Sequence, residues 1–190
     1  MNAVPLGQWM GLRAALLLAR GRAEGAALMV GETPAGQAVR ARHSFLAMLL
    51  CLPLFAAIQD LALQGPGAIA ADTLPRALAS FVLGWFGYAV LSHQLAEGMG
   101  RAALWPRFIV LWNWCNLIQY LLMACATVPM LLGAPPLVAQ TAWLVAMGWA
   151  LWLEWYATRL ALAIPGGPAA ALVALDFALG LFLVGITGTM

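Results

Sequence analysis

The feature that most constrains this chain is a series of five apolar runs, each about as long as a bilayer is thick. From residue 41 onwards they follow one another to the C-terminal end, separated by short segments rich in glycine and proline. An α-helix rises about 1.5 Å per residue, so about 20 residues cross a hydrocarbon layer roughly 30 Å thick. Only 8% of the residues are charged, against about a quarter in soluble domains. The sequence therefore predicts an all-α, polytopic membrane helix bundle.

The boundaries of the predicted spans follow the glycine and proline residues between the runs. Pro106, Pro136 and Pro168 stand where the first turn of a helix accepts a residue without an amide proton. We predict a transmembrane domain over residues 41–190, with spans at about 41–63, 74–97, 106–132, 136–164 and 168–187. Pro53 lies inside the first span and is expected to kink it. The fourth run is longer than a bilayer requires, so we expect it to tilt or to protrude.

Residues 1–40 are predicted to form a separate segment at the cytoplasmic face. Leu6–Arg22 has the pattern of a weakly amphipathic helix, which lies in the membrane interface or docks on a partner protein. Trp9, Arg13 and Arg20 are its expected interfacial anchors, and Trp105 is a further one. The stretch GRAEGAALMVGETPAGQ, residues 21–37, is expected to be a linker.

The placement of the arginines predicts the orientation in the membrane. With a cytoplasmic N-terminus, eight of the nine arginines fall on or near the cytoplasmic side, and Arg76 alone lies outside. The C-terminus is then periplasmic. The chain contains no lysine and is rich in Ala, Gly, Leu and Arg, which is typical of GC-rich bacterial genomes. We therefore predict a multi-pass protein of a bacterial inner membrane.

Ionisable residues inside the spans are the candidates for chemistry, because a charge at the bilayer centre costs at least about 2.5–3.5 kcal/mol. Counted from the hairpin IPGGP at the rise of a helix, Glu154 lies roughly 13 Å deep and Asp176 roughly 12 Å deep. Asn113 and Asn116 of the third span lie at about 10 and 15 Å. We predict an intramembrane polar layer that consists of Glu154, Asp176, Arg159, Asn113, Asn116 and His93.

Two roles are open for this layer. Arg159 is expected to pair with Asp176 across the tight hairpin, and such a pair, together with the asparagines, holds helices together. Alternatively, Glu154, Asp176 and the asparagines, together with His93, line a polar cavity that binds a proton or a small solute, as carboxyl groups inside membranes often do.

Several other classes of function are not indicated. The three cysteines lie in apolar runs without metal-ligand spacing, and His43 and His93 are isolated, so we expect neither a metal site nor a cofactor. A net charge of +2 without lysine disfavours nucleic acid as a partner. No G-x-S-x-G, H-E-x-x-H or P-loop pattern is present, so no catalytic residue and no enzymatic activity is predicted.

An arginine-bearing N-terminal segment is followed by five spans, with NWCNLIQY in the third and LVALDF in the fifth. This layout resembles that of five-span bacterial inner-membrane proteins and is similar to that of the Yip1-type group. The resemblance covers most of the chain and implies a five-helix bundle, but no functional residues. We predict an integral membrane scaffold or accessory subunit that packs against the lipid bilayer and against other membrane protein subunits or further copies of itself. The alternative is a small transporter or channel-like protein that uses the Glu/Asp/Asn layer.

Overall fold

The computed structural model confirms the predicted fold class. It describes residues 5–30, 33–63 and 73–188, and every regular element among them is a helix. A 3₁₀ turn at Ala102–Leu104 directly precedes the helix that begins at Trp105. The helices are α1 (Pro5–Ala19), α2 (Glu24–Ala27), α3 (Pro34–Ser44), α4 (Leu46–Leu63), α5 (Thr73–Gly98), α6 (Trp105–Ala126), α7 (Val128–Leu131), α8 (Pro136–Leu162) and α9 (Gly166–Gly188).

Five stretches in the described part of the chain are long and apolar enough to cross a membrane. They are Pro34–Leu61, Leu74–Gly98, Ala102–Leu131, Pro136–Leu162 and Gly166–Ile186. The first begins before residue 41 because Thr33 caps α3: its side-chain oxygen accepts a hydrogen bond from the Gly36 amide at 3.2 Å. The interruption within this span lies at Phe45, between α3 and α4, while α4 continues through Pro53.

Helix α6 is the centre of the bundle and packs against α1, α3, α4 and α8. Every residue from Phe108 to Cys115 is buried, so this half of α6 has no face left for lipid. A helix that is apolar all round is expected in such a central position. Helix α9 lies further out and packs against α5 and α8.

The N-terminal helix α1 docks on the protein's own bundle. Ala14, Ala15 and Leu18 are fully buried, and α1 contacts α3, α6 and α8. Trp9 and Arg13 are exposed on the other side, as is Arg20 just beyond the helix. The surface that was expected to meet lipid or a partner protein is therefore divided: its small residues face α6, and its anchors face outwards.

The segment that was predicted to be a linker contacts the bundle at several positions. Gly25, Ala26 and Met29 are buried, and the Arg40 guanidinium lies 3.8 Å from the Met29 sulfur. The Tyr156 hydroxyl of α8 donates a hydrogen bond to the carbonyl of Gly21 at 2.9 Å. These contacts hold residues 21–30 against the same end of the bundle as α1.

The hairpin between α8 and α9 is closed by an arginine from α6. The Arg107 guanidinium donates hydrogen bonds to the carbonyls of Leu160 and Ala161, the last carbonyls of α8. Such terminal carbonyls have no partner within their own helix. Ala163 then adopts a left-handed conformation, with φ at +50°, and ends the helix. The hairpin is thus fixed to α6 rather than held only by its own turn.

Substitution of Gly11 by alanine is expected to loosen α1. A Cβ atom at Gly11 would lie 2.5 Å from ring atoms of the buried Trp114. Overpacking of this kind costs about 1–3 kcal/mol of unfolding free energy. Thermal unfolding in detergent measures the loss. The control is Gly148→Ala in α8, where an added Cβ meets nothing within 4 Å and alanine favours the helix by up to about 1 kcal/mol. Equal stabilities of the two variants would show that α1 is not seated on α6.

Candidate carboxyl site

Two carboxyl groups meet in the interior of the bundle, Glu154 from α8 and Asp176 from α9. Their side chains lie within hydrogen-bonding reach of each other. The indole N–H of Trp112 on α6 donates to Asp176 Oδ2 at 3.0 Å. A hydrogen bond between two carboxyl groups requires a proton on one of them, because ionised carboxylates only accept. The two groups can therefore hydrogen-bond to each other only when the pair carries a proton.

One oxygen of this pair lacks a partner. Glu154 is only 7% exposed, and its Oε1 atom has no hydrogen bond within the described structure. The hydroxyl groups of Tyr88 and Thr158 are also buried and have no partner among the described residues. Tyr88 interacts electrostatically with both carboxyl groups, and Thr158 follows Glu154 by one turn on the same face of α8. Buried polar atoms are nearly always bonded, so Oε1 is an unsatisfied acceptor in a residue that borders the cavity described next.

A cavity of about 380 Å³ borders the pair between α4, α6, α8 and α9. The amides of Gln59, Asn116 and Gln119 and the side chain of Tyr120 complete its polar lining. Its apolar lining consists of Phe55, Ile58, Met123, Trp143, Met147, Ala150, Leu151, Phe177, Gly180 and Leu181. This mixture of apolar walls and a few polar groups is typical of sites that bind small molecules.

The carboxyl pair lies at the inner end of the cavity. Along α8, Glu154 is about 16 Å from Trp143 by helical rise. Trp143 and Leu181, at the other end, are 39% and 59% exposed. That end faces the turn between α6 and α8, which the arginine pattern predicts to be periplasmic. Tyr88 and Leu153 do not line the cavity and are fully buried.

The two asparagines of α6 have different roles. Asn113 is fully buried, accepts a hydrogen bond from Trp85 Nε1 at 2.6 Å and donates to Ser44 Oγ at 2.6 Å. It therefore joins α6 to α3 and α5. Asn116 donates to the carbonyl of Trp112 within its own helix at 2.9 Å and lines the cavity. Only the second is placed to meet a solute.

Arg159 does not reach the carboxyl pair. Its guanidinium lies 5.6 Å from the ring centroid of Trp155, and its side chain is exposed. The ion pair that was expected between Arg159 and Asp176 does not form in the described structure. The reason is helical periodicity: five residues along α8 turn Arg159 about 140° away from Glu154. The carboxyl groups are left without a basic partner from this hairpin.

His93 and Trp105 lie together at the end of α5, away from the cavity. Their rings meet edge to face at 4.9 Å between centroids, and His93 is exposed. The Trp105 indole N–H donates to Ser92 Oγ at 3.1 Å, so the polar edge of this interfacial candidate bonds within the bundle. His93 is therefore not part of the polar layer around Glu154.

Sequence reasoning missed four contributors to the site: Trp112, Gln59, Gln119 and Tyr120. Gln59 and Gln119 carried the same signal as the asparagines, since an amide within an apolar span needs a partner or a function. Gln119 donates to the carbonyl of Ala150 on α8 at 2.8 Å. The bond from Trp112 to Asp176 had no sequence signal, because it depends on how α6 and α9 are placed.

Among known proteins, no family model, no curated protein and no solved structure matches this chain. The similarity in layout to the Yip1-type group stays a prediction. The class of protein is therefore defined by the fold and the site: a multi-pass membrane helix bundle with a carboxyl pair at the inner end of a cavity.

Asn113→Leu is expected to destabilise the bundle because it removes the hydrogen bonds to Trp85 and Ser44. Two buried polar groups lose a partner, which costs about 1–3 kcal/mol of unfolding free energy. Thermal unfolding in detergent measures this loss. Asn116→Leu is the matched control, since it removes only a bond to a carbonyl within its own helix. A loss of equal size in both variants would contradict the role assigned to Asn113.

Two substitutions of Asp176 distinguish the contribution of its hydrogen bond with Trp112 from the contribution of its charge. Asp176→Asn keeps an acceptor for the Trp112 indole and offers a donor to Glu154, so we expect unchanged or higher thermal stability. Asp176→Leu leaves the indole N–H unpartnered and is expected to lose about 1–3 kcal/mol. If the two variants unfold at the same temperature, the bond from Trp112 contributes nothing to stability.

Proposed function

We propose that the protein is a small membrane transporter that binds a solute in the cavity and exchanges a proton at the Glu154–Asp176 pair. The observation that supports this proposal is the position of the pair at the inner end of a cavity of about 380 Å³. Carboxyl groups that only join helices are enclosed by packing. Carboxyl groups of proton relays and transporters instead face a polar cavity, because they must exchange protons with water or solute.

In this proposal each part of the lining has its own task. A solute enters past Trp143 and Leu181, and the amides of Gln59, Asn116 and Gln119 orient it by hydrogen bonds. The carboxyl pair holds a proton when the cavity is empty, and its protonation state changes when a solute binds. Release on the other side requires the packing around Tyr88, Phe108 and Leu153 to open.

A role as an accessory subunit is favoured by a different observation. Helices α8 and α9 expose broad apolar faces that include Leu144 and Phe182, and open space surrounds Gly148, Gly180 and Gly185. Small residues let another helix approach closely. Lipid covers such faces equally well, so the faces alone do not favour an accessory role. The cavity is the observation that favours transport. Recovery of a stoichiometric partner, by mass spectrometry after mild purification from native membranes, would favour the accessory role instead.

Dicyclohexylcarbodiimide, which reacts with protonated carboxyl groups in apolar surroundings, is expected to label the pair. Intact mass spectrometry should show one label per chain. Labelling should fall as the pH rises, because the reaction needs the protonated form and deprotonation removes it. The double variant Glu154→Gln/Asp176→Asn should lose the label. Glu97→Gln should keep it, since this exposed acid lies at the far end of α5.

A second measurement tests whether water reaches the cavity. In a Cys125→Ser background, Leu181→Cys should react with a membrane-impermeant thiol reagent in proteoliposomes, whereas Phe182→Cys should not. The two side chains are similarly exposed, at 59% and 63%, but only Leu181 lines the cavity. If Leu181→Cys is unreactive and the carbodiimide does not label the pair, the cavity is dry and transport is the wrong function.

A further inference from the structure

The charge of the cavity restricts what it binds. Glu154 and Asp176 are its ionisable acids, and no arginine or histidine occurs among the described residues that line it. Arg159, the nearest basic residue along α8, lies over Trp155 instead. Two carboxyl groups in contact and without a basic partner repel each other when both are ionised. A proton or a positively charged ligand relieves this repulsion, whereas an anion increases it.

The hydrogen-bonding atoms of the cavity further restrict the class of ligand that it binds. Glu154 Oε1 is a buried acceptor without a donor, while Asp176 Oδ2 already accepts from Trp112. The amides of Asn116 and Gln119 line the cavity and donate to backbone carbonyls, and neither amide oxygen is an acceptor in these two bonds. A site rich in acceptors is complementary to an ammonium group, which carries up to three N–H donors and no acceptor.

A bare metal ion suits the site less well than an organic cation. In the described parts of the chain, no group of three His, Cys, Asp or Glu side chains converges that could hold a metal ion. The remaining walls are aromatic and aliphatic, with Phe55, Trp143 and Phe177 among them. Aromatic rings attract organic cations and also bury an apolar substituent. A volume of about 380 Å³ is sufficient for a small organic molecule.

We infer that the cavity binds a small protonated amine with an apolar or aromatic substituent, its ammonium group on Glu154 and Asp176, and that the amine displaces the proton held by the pair. This inference rests on the proposed transport function and names its substrate class. One proton leaves the pair for each amine that binds, so charge is conserved at the site. Amine and proton then move in opposite directions across the membrane.

The direction of the pH dependence follows from this exchange. A proton competes with the amine for the pair, so the affinity for the amine rises with pH. The other titratable groups that face the carboxyls are Tyr88 of α5 and Cys115 and Tyr120 of α6. Thiol and phenol groups ordinarily titrate above neutral pH, and alkyl amines stay protonated there. Between about pH 5.5 and about pH 8, the change in affinity therefore reports on the carboxyl pair.

Calorimetric titration of the full-length protein in lipid nanodiscs with benzylamine tests the inference. We expect saturable binding that strengthens with pH and releases a proton, which titration in buffers of different ionisation enthalpy detects. Glu154→Gln and Asp176→Asn should each weaken binding between about tenfold and about a hundredfold, the effect of removing a charged hydrogen-bond partner. Glu97→Gln, an acid outside the cavity, should bind as the unmodified protein does.

Three related probes examine the separate parts of the inference. Benzyl alcohol has the same ring without the charge, and benzyltrimethylammonium has the charge without N–H donors. We expect no binding of the alcohol and much weaker binding of the quaternary ion. Equal binding of either would overturn the requirement for a charged donor. Sodium chloride and choline chloride are compared as competitors at the same ionic strength. Stronger competition by sodium chloride would show that the site prefers an alkali cation, which also overturns the inference.

Two further comparisons distinguish a loss of binding from a loss of folding. Asp176→Asn preserves the acceptor for Trp112, and its thermal unfolding shows whether the variant is intact. Trp143→Leu, at the exposed end of the cavity, should weaken benzylamine binding without loss of stability. If benzylamine does not bind although the carbodiimide labels the pair and Leu181→Cys reacts, the substrate class is wrong and the transport proposal stands. If all three fail, both are wrong.

Discussion

Helix α6 supplies polar side chains to four other helices, and the arrangement of the bundle depends on these bonds. Asn113 bonds to α3 and α5, Trp112 to α9, and Gln119 and Arg107 to α8. Inside a bilayer no water is present to satisfy a buried N–H or C=O group, so each must find its partner within the protein. Apolar packing alone does not choose between neighbours, because lipid tails are as apolar as leucine. The polar bonds of α6 therefore select which helix lies where.

The same constraint distinguishes structural polar groups from the candidate site. Asn113 has its partners on both sides, and nothing about it calls for a ligand. Glu154 is 7% exposed, against 0% for Asn113, yet one of its oxygens has no partner in the described structure. A fully bonded network stabilises the bundle, whereas a buried polar atom without a partner beside a cavity marks a candidate site. Burial by itself did not separate these two residues; their hydrogen bonds did.

The sequence could predict the helical class and the common depth of Glu154 and Asp176, because both follow from the rise of a helix and the length of apolar runs. It failed for Arg159, where the short hairpin suggested a pair with Asp176. The face of α8 on which Arg159 lies and the position of Trp155 next to it turn the guanidinium outwards. It also placed His93 in the polar layer, although His93 is exposed and its ring contacts that of Trp105 near the end of α5. Depth along a helix is readable from sequence, but the direction of a side chain around the bundle is not.

The sequence by itself determined that this chain forms membrane-length helices and that two carboxyl groups lie within them. Hydropathy and helical rise are local properties, so no knowledge of neighbouring helices was needed. Only the tertiary structure decided that Glu154 meets Asp176, that Trp112 bonds to one and Arg159 to neither, and that a cavity opens beside them. These contacts join α4, α6, α8 and α9, which are far apart in the chain. They depend on where whole helices cross and on how each helix is rotated about its axis. Side chains from several helices together determine both.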